Sequence, residues 1–417
     1  MRVSLKYKKN KKEVDKFMDV RLIKKEEREQ SKKVGAVAFQ FSSDCKVDEN
    51  DEYPEPHCAA YGAFDDDGKL MGQMEVIQQK LYFDGHIVES ADIAGVSTLP
   101  EYRHKKSIRS IFELVFEDMK AKNQYISQLY PFSYAYYNKF NYETTYERVD
   151  LRFPFAMLNE VKDIKRNNRC KLIDDNKNAV LREVYEKYAS KHNGAYNRDD
   201  RLWNIKIGEN IYKTQKYPYI YYNENNEPAG YFAYNHDENK FNVFELCYET
   251  LADLKGILGF ILNFAGSYDG RDIKFSNLPA DQDFSLMFTN QYKVNRSVSF
   301  LAMTAIADVK KIFELLKYPT GSGNFSISVD DNFQACNKGV YIIGYKDGKA
   351  ENIEQKNFGS SDADINVSSL ALAKLVFGTD NLCSYRYKFM DGIKINNNIE
   401  TLEKVFVKKN IFIGDSF

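Results

Sequence analysis

The sequence predicts an α+β protein built of three segments, the first two laid out alike. Three observations carry this reading. Hairpin, strand and helix signals follow one another between about residues 59 and 122. The same order returns, as a weak internal duplication, between about residues 219 and 264. A third set of strand and helix signals begins near Met303. At 417 residues the chain exceeds one ordinary core, so two or three domains are expected. A net charge of −1 gives no general attraction to nucleic acid or to an anionic membrane, and neither is expected as a partner.

The chain up to about residue 33 is highly charged and reads as helix, and residues 34–41 read as the start of a β-rich region. Residues 59–64 and 70–76 flank the turn Asp65-Asp66-Asp67-Gly68-Lys69, an acidic glycine turn that marks a hairpin rather than a metal site. A second hairpin turn is Phe83-Asp84-Gly85-His86, followed by a strand over 93–98. From Ser107, the residues Ile108, Ile111, Phe112, Val115 and Met119 recur at helical spacing and predict one apolar stripe down to about Lys122. A strand over 125–129 then runs into an aromatic stretch over 130–142. In the second segment a helix over 179–192, strands over 219–222, 230–234 and 241–248, and a helix over 251–264 are expected. In the third, helices over 309–316 and 368–377 and strands over 325–329 and 339–345 are expected. The apolar run Ile411-Phe412-Ile413 predicts a docked tail.

The six cysteines form no C-x-x-C pair and read as reduced, mostly buried thiols of a cytoplasmic protein. The basic stretch 1–12 has no apolar run behind it, so no signal peptide is expected, and no segment reaches membrane-span length. His57, His86, His192 and His236 are scattered, and Trp203 reads as a core residue.

The densest chemical signal is Val96-Ser97-Thr98-Leu99-Pro100-Glu101-Tyr102-Arg103-His104-Lys105-Lys106-Ser107-Ile108-Arg109. Five basic or potentially cationic side chains fall between Arg103 and Arg109, just where a helix starts. The free N–H groups and positive dipole end of such a helix suit a phosphate. The equivalent strand-to-helix junction in the second segment, Glu249-Thr250, has no basic cluster.

Those residues, with Tyr137-Asn138-Lys139-Phe140-Asn141-Tyr142 and Phe417, resemble the Eis (enhanced intracellular survival) family of GNAT N-acetyltransferases. The resemblance implies tandem GNAT-like mixed α/β domains followed by a sterol-carrier-like α+β domain, placed at 1–153, 154–300 and 301–417, with only the first GNAT domain holding a cofactor. It implies acetyl-CoA as co-substrate without a metal. Val96, Ser97 and Thr98 would bond the pantetheine arm. His104, Lys105, Lys106, Ser107, Ile108 and Arg109 would hold the phosphates, and Phe132 and Ser133 would touch the cofactor. Tyr137 matches the family's proton donor and the α-carboxylate of Phe417 its proton acceptor. The implied activity is N-acetylation of a primary amine, on an aminoglycoside-like polyamine or a lysine, by direct attack in a ternary complex. Asp415 would suit a polycationic acceptor. A homo-oligomer, trimer or hexamer, is implied as well.

Two departures stand out. Lys106 occupies the place of the family's glycine in the phosphate turn, where its side chain would either obstruct the phosphate or turn outward and add a cation. Asn141 replaces another glycine. A non-catalytic GNAT-fold regulator with an impaired cofactor site, or a lipid binder acting through the third domain, are the competing readings.

Overall fold

The computed structural model describes residues 18–48, 52–237, 240–268, 270–359, 362–384 and 390–415. The first segment supplies strands β1 (Asp19–Leu22), β2 (Cys58–Phe64), β3 (Leu70–Phe83), β4 (His86–Thr98), β5 (Ile126–Leu129) and β6 (Glu143–Thr144), with helices α1 (Arg28–Phe39), α2 (Ser107–Ala121) and α3 (Tyr134–Tyr137). The second supplies β7 (Glu147–Pro154), β8 (Cys170–Leu172), β9 (Tyr217–Tyr222), β10 (Pro228–Asp237), β11 (Lys240–Tyr248), β12 (Asp272–Pro279) and β13 (Asn295–Phe300). Its helices are α4 (Ala179–Ala189), α5 (Asp200–Lys206), α6 (Ile211–Thr214) and α7 (Leu251–Ile261). Then follow β14 (Met303–Ile306), β15 (Ser322–Asp330), β16 (Gly339–Lys346), β17 (Lys349–Lys356), β18 (Ile365–Ser368) and β19 (Ile393–Ile395), with α8 (Val309–Leu315), α9 (Ser369–Phe377) and α10 (Ile399–Val405).

Among the described residues these strands form three mixed sheets. The first runs β1-β2-β3-β4-β5-β14-β6, the second β13-β7-β12-β11-β10-β9-β8 and the third β17-β16-β15-β18-β19. Two strands cross the divisions drawn at 153 and 300. β7 leaves the first sheet to pair with β12 and β13. β14 returns from the far side of the second sheet and pairs with both β5 and β6. β14 is buried along its length, so its backbone groups need partners on both sides, and the gap between β5 and β6 provides them.

The α2 stripe lies as its spacing predicts: Ile108, Ile111, Phe112, Val115 and Met119 are all buried, packed on Tyr61, Met74, Val76 and Ile93 of the first sheet. Residues 34–39 differ from expectation and are helical rather than extended. Val34 packs on Ile23, Phe64 and Leu70, and that contact overrides the β preference of a Val-rich run. The charged stretch before it holds the strand β1 as well as the start of α1. The largest apolar cluster takes residues from all three segments, among them Leu81, Trp203, Phe313 and Phe412. The third segment is therefore packed into the body of the protein. Of the cysteines, Cys170 and Cys247 are buried, Cys45 and Cys58 half-buried, and Cys336 and Cys383 exposed, so burial is less general than the sequence suggests. No helix among the described residues is long and apolar enough to cross a membrane.

Candidate active site

The site begins where two parallel strands part. β4 pairs with β5 from Ser90 opposite Ile126 to Ile93 opposite Leu129. β5 stops there, while β4 continues to Thr98, still paired to β3 on its other side. The edge from Ala94 to Thr98 has no strand partner toward β5, which leaves about 16 Å of backbone able to bond an extended ligand. The β3–β4 ladder slips by one residue between Gln73–Ser97 and Glu75–Ala94. This bulge is centred on Gly95, whose φ of +59° favours glycine. A Cβ on Gly95 would also stand 3.2 Å from Glu75 Oε2. Of the predicted pantetheine contacts, Ser97 is buried and Val96 and Thr98 are half-buried along this edge.

The basic turn lies at the end of that edge. Its first residue to donate inward is Arg103, to the Pro100 carbonyl at 3.2 Å. His104 and Lys106 both have left-handed backbones, with φ of 67° and 64°. Lys106 thus adopts the conformation a glycine would take, at a cost of about 1 kcal/mol, and its side chain is exposed. It is the N-cap of α2 and makes no side-chain cap. Among the described residues nothing accepts from the N–H groups of Ser107, Ile108 and Arg109, so the positive end of a 15-residue helix is open. Arg103, His104 and Lys105 are exposed around it, with Lys105 Nζ 4.4 Å from the Tyr102 ring centre. Arg109 is drawn aside: Nε donates to Glu113 at 3.1 Å, and the guanidinium lies 5.0 Å over the Phe333 ring from the third segment.

Beyond β5 the aromatic stretch folds into α3 and a short turn. Ser133 caps α3 by accepting from the Tyr136 N–H. Phe132 is exposed, its ring centre 5.3 Å from that of Tyr137. Tyr137 is buried between Phe112, Phe132, Tyr136 and Tyr142, on the α2 side of the sheet. Burial pushes its phenol pKa well above the ordinary value. Asn141 is left-handed at φ 66°, which asparagine tolerates. It uses the side chain a glycine lacks: Nδ2 donates to Asp331 at 2.7 Å and Oδ1 accepts from Ser369 at 2.8 Å, tying the site to the third segment.

The tail runs into the same region. Asn193 exchanges backbone bonds with residues 410 and 412, and Ile411, Phe412 and Ile413 are buried. Lys206 Nζ donates to the Gly414 carbonyl at 2.8 Å, and the Tyr130 hydroxyl, one residue past β5, donates to the Asp415 carbonyl. The Asp415 side chain is not available to a cationic acceptor, contrary to the sequence reading. It is buried against Arg198, whose side chain is fully inaccessible. Glu245 shares that guanidinium, and Arg198 with Lys206 holds its carboxyl far below the usual range. Phe417 lies outside the described residues. Sequence reasoning missed this cluster, because Arg198, Glu245 and Asp415 have no common spacing.

The face of the first sheet turned away from α2 carries polar groups that sequence reasoning also missed. Asp92 is buried, accepting from Ser90 Oγ at 2.6 Å, from the Gln128 N–H at 3.0 Å and from the Tyr196 hydroxyl. Burial pushes its carboxyl up to about 6 despite those bonds. Glu75 stands over the bulge on the same face, and burial raises its pKa too, with Glu55 adding to the effect. No group of three or more His, Cys, Asp or Glu residues suited to a metal occurs among the described residues.

Comparison with known proteins agrees with this fold. Residues 19–145 and 194–303 each match models of an acetyltransferase (GNAT) domain, and residues 309–413 match a sterol carrier protein domain. A search of curated proteins gave no match. Among solved structures, a probable N-acyltransferase of unknown function from Enterococcus faecalis is similar at TM-score 0.80 and 20% identity, covering 96% of this chain and 100% of that one. A GCN5-related N-acetyltransferase from Anabaena variabilis is similar at TM-score 0.76 and 18% identity, with coverage of 96% and 100%. Eis1 from Mycobacterium abscessus is similar at 0.75 and 17%, again with 96% and 100% covered. The chain is accordingly a tandem GNAT-domain protein of Eis-like architecture, closed by a sterol carrier protein domain.

Proposed function

We propose that this GNAT-fold protein is an acetyl-CoA-dependent N-acetyltransferase acting on a primary amine of a cationic acceptor, by direct attack in a ternary complex. The observation that carries the reading is the fork: an unpaired β4 edge leading straight into the open first turn of α2. An extended amide chain with a diphosphate at one end matches that sequence of groups. Val96, Ser97 and Thr98 offer backbone bonds to the arm. The N–H groups of Ser107, Ile108 and Arg109, with His104, Lys105 and Lys106 around them, hold the phosphates, and Phe132 and Ser133 flank the arm. The left-handed backbone and exposed side chain of Lys106 supply what glycine would supply there, so Lys106 no longer favours the regulatory alternative.

Tyr137 is the proposed proton donor to the departing sulfur. Its raised pKa keeps it protonated at neutral pH. A phenol above 10 does not by itself give its proton to a thiolate of pKa near 8.5. Transfer becomes favourable because the attacking nitrogen, once bonded to the acyl carbon, is strongly acidic and replaces the phenol's proton. The carboxylate of Phe417 is the family-implied acceptor of the amine proton. The placement of Asp415 beside Tyr130 supports a chain end near the fork.

Calorimetry with acetyl-CoA, coupled to thiol release with a panel of aminoglycosides, polyamines and lysine peptides, tests the proposal. Saturable binding and amine-dependent release are expected. Absence of binding at saturating acetyl-CoA would overturn it.

A further inference from the structure

We propose that Arg198 is a positioning residue of the acetyl transfer: through Asp415 it sets where the terminal carboxylate of the chain acts. This role rests on the reading of that carboxylate as the acceptor of the amine proton, and it names the group that aims it.

One short stretch of the second segment, residues 193–198, joins the other two. Toward the first sheet it lies along β3. The Gly194 N–H donates to the Tyr82 carbonyl and the Tyr82 N–H to the Ala195 carbonyl, both at 2.8 Å, and the Asn197 N–H donates to the Lys80 carbonyl at 2.8 Å. Toward the tail, Asn193 pairs in parallel with Ile411, and Arg198 meets Asp415. The tail is therefore held at two points by a stretch that is itself bonded to the first sheet. Tyr130 adds a third hold, its hydroxyl donating to the Asp415 carbonyl. Tyr130 follows Leu129, whose pairing with Ile93 is the last before β4 and β5 part. Only two residues follow Asp415 in the sequence, and two residues reach at most about 7 Å. The place of Asp415 thus confines the terminal carboxylate to the neighbourhood of the fork.

Docking alone does not call for an arginine here. Ile411, Phe412 and Ile413 are buried and hold the tail by apolar contact. An ion pair taken out of water adds little net stability over apolar groups of the same size, because desolvation of both charges offsets their attraction. What the pair supplies is direction. The guanidinium meets both oxygens of Asp415, and a two-point bond fixes orientation as well as distance. The guanidinium is itself locked. Its carbon lies 3.8 Å from the Tyr185 ring centre and 4.9 Å from that of Trp203, and Nη1 donates to Glu245 at 3.1 Å. Lys206 Nζ, 3.2 Å from Glu245, completes a cluster of two cations and two carboxylates. Charge is balanced there, so the cluster keeps one arrangement.

An ammonium acceptor loses two protons on becoming an amide. The first goes to the terminal carboxylate, and the freed amine forms the N–C bond with the thioester carbonyl carbon. The C–S bond breaks, and the sulfur takes the Tyr137 proton. The second nitrogen proton restores Tyr137, and the carboxylate releases its proton to solvent. The products are an N-acetyl amide, free thiol and one proton. Only the first transfer depends on where the chain end lies, and a displacement of about 1 Å slows such a step by up to about a hundredfold. A nucleophile that arrives neutral skips that transfer.

The test compares wild type, Arg198→Lys, Asp415→Asn and wild type with two residues appended after Phe417. Acetyl-CoA affinity is read by calorimetry, and thiol release is followed with two acceptors. One is a lysine peptide with a blocked N-terminus, the other the same peptide with an aminooxy group in place of the lysine amine. At neutral pH the first presents an ammonium and the second a neutral nitrogen. Acetyl-CoA should bind all four proteins alike. Arg198→Lys and Asp415→Asn should each slow the lysine peptide by about tenfold or more, and the aminooxy peptide by no more than about threefold. Equal slowing of the two peptides makes the pair merely structural and overturns the inference, as does a wild-type rate on the lysine peptide in either folded variant. Loss of the wild-type circular dichroism spectrum in both variants overturns it as well. If the appended residues slow both peptides alike or neither, the terminal carboxylate is not the base, and the role of Arg198 falls with it. Failure of wild type to bind acetyl-CoA or to acetylate either peptide overturns the acetyltransfer reading itself.

Discussion

The Arg198 guanidinium grips the Asp415 carboxylate at two points, Nε to Oδ2 at 2.9 Å and Nη2 to Oδ1 at 2.8 Å, in a place no solvent reaches. Tyr185 lies under the same group at 3.8 Å, and Glu245 closes its other side. Removing one carboxylate leaves a buried cation with half its compensation. Asp415→Asn should lower unfolding free energy by about 3 kcal/mol in urea denaturation. It should also make the tail more susceptible to carboxypeptidase. An unchanged midpoint would mean that the tail is held by Ile411, Phe412 and Ile413 alone.

Lys106 makes a separable prediction. Its backbone is left-handed, a conformation that costs a side chain and not a glycine. Lys106→Gly should be more stable than Lys106→Ala by about 1 kcal/mol, since both lose the charge and only one relieves the strain. Equal denaturation midpoints for the two would count against strain at this turn.

Tyr137→Phe should slow acetyl transfer at least tenfold in a thiol-release assay, with little change in acetyl-CoA affinity by calorimetry. A normal rate would remove Tyr137 from the proton path. Appending two residues after Phe417 should likewise suppress turnover of a folded protein if the terminal carboxylate acts.

Asp92 and Glu245 make opposite contributions to pH dependence. Asp92 is buried with its carboxyl pushed from 3.8 to about 6, so the folded state binds the extra proton. Its contribution is present below pH 4 and is lost as pH rises to about 6, a span worth about 3 kcal/mol. Glu245 is held below its ordinary value, so its contribution is present above pH 4.5 and lost as pH falls through its lowered pKa. Urea unfolding of wild type and Asp92→Asn between pH 4 and 7 should show the difference between them growing with pH in favour of the Asn variant. A constant difference would place the titration elsewhere.

Local signals made much of the first sheet legible. The Asp65–Gly68 turn, the Phe83–His86 turn and the α2 stripe are written in neighbouring residues, and all three appear where their spacing puts them. The open start of α2 was also legible, because a basic turn before a periodic run is a local pattern. What was hidden depends on partners far along the chain. Arg198 meets Asp415 across more than two hundred residues, and Glu75 owes its place to the bulge at Gly95. Val34 went the other way: a β-preferring residue became helical because Ile23, Phe64 and Leu70 offered it a surface.

The return of β14 into the first sheet has a consequence for biogenesis. The gap between β5 and β6 stays empty until translation has delivered Met303–Ile306, so the N-terminal domain cannot close while the second is still being made. A fragment cut near residue 150 would expose two raw strand edges and aggregate, whereas a fragment of 1–150 carrying a copy of 303–306 on a linker at its end would fill the gap and let that domain mature early.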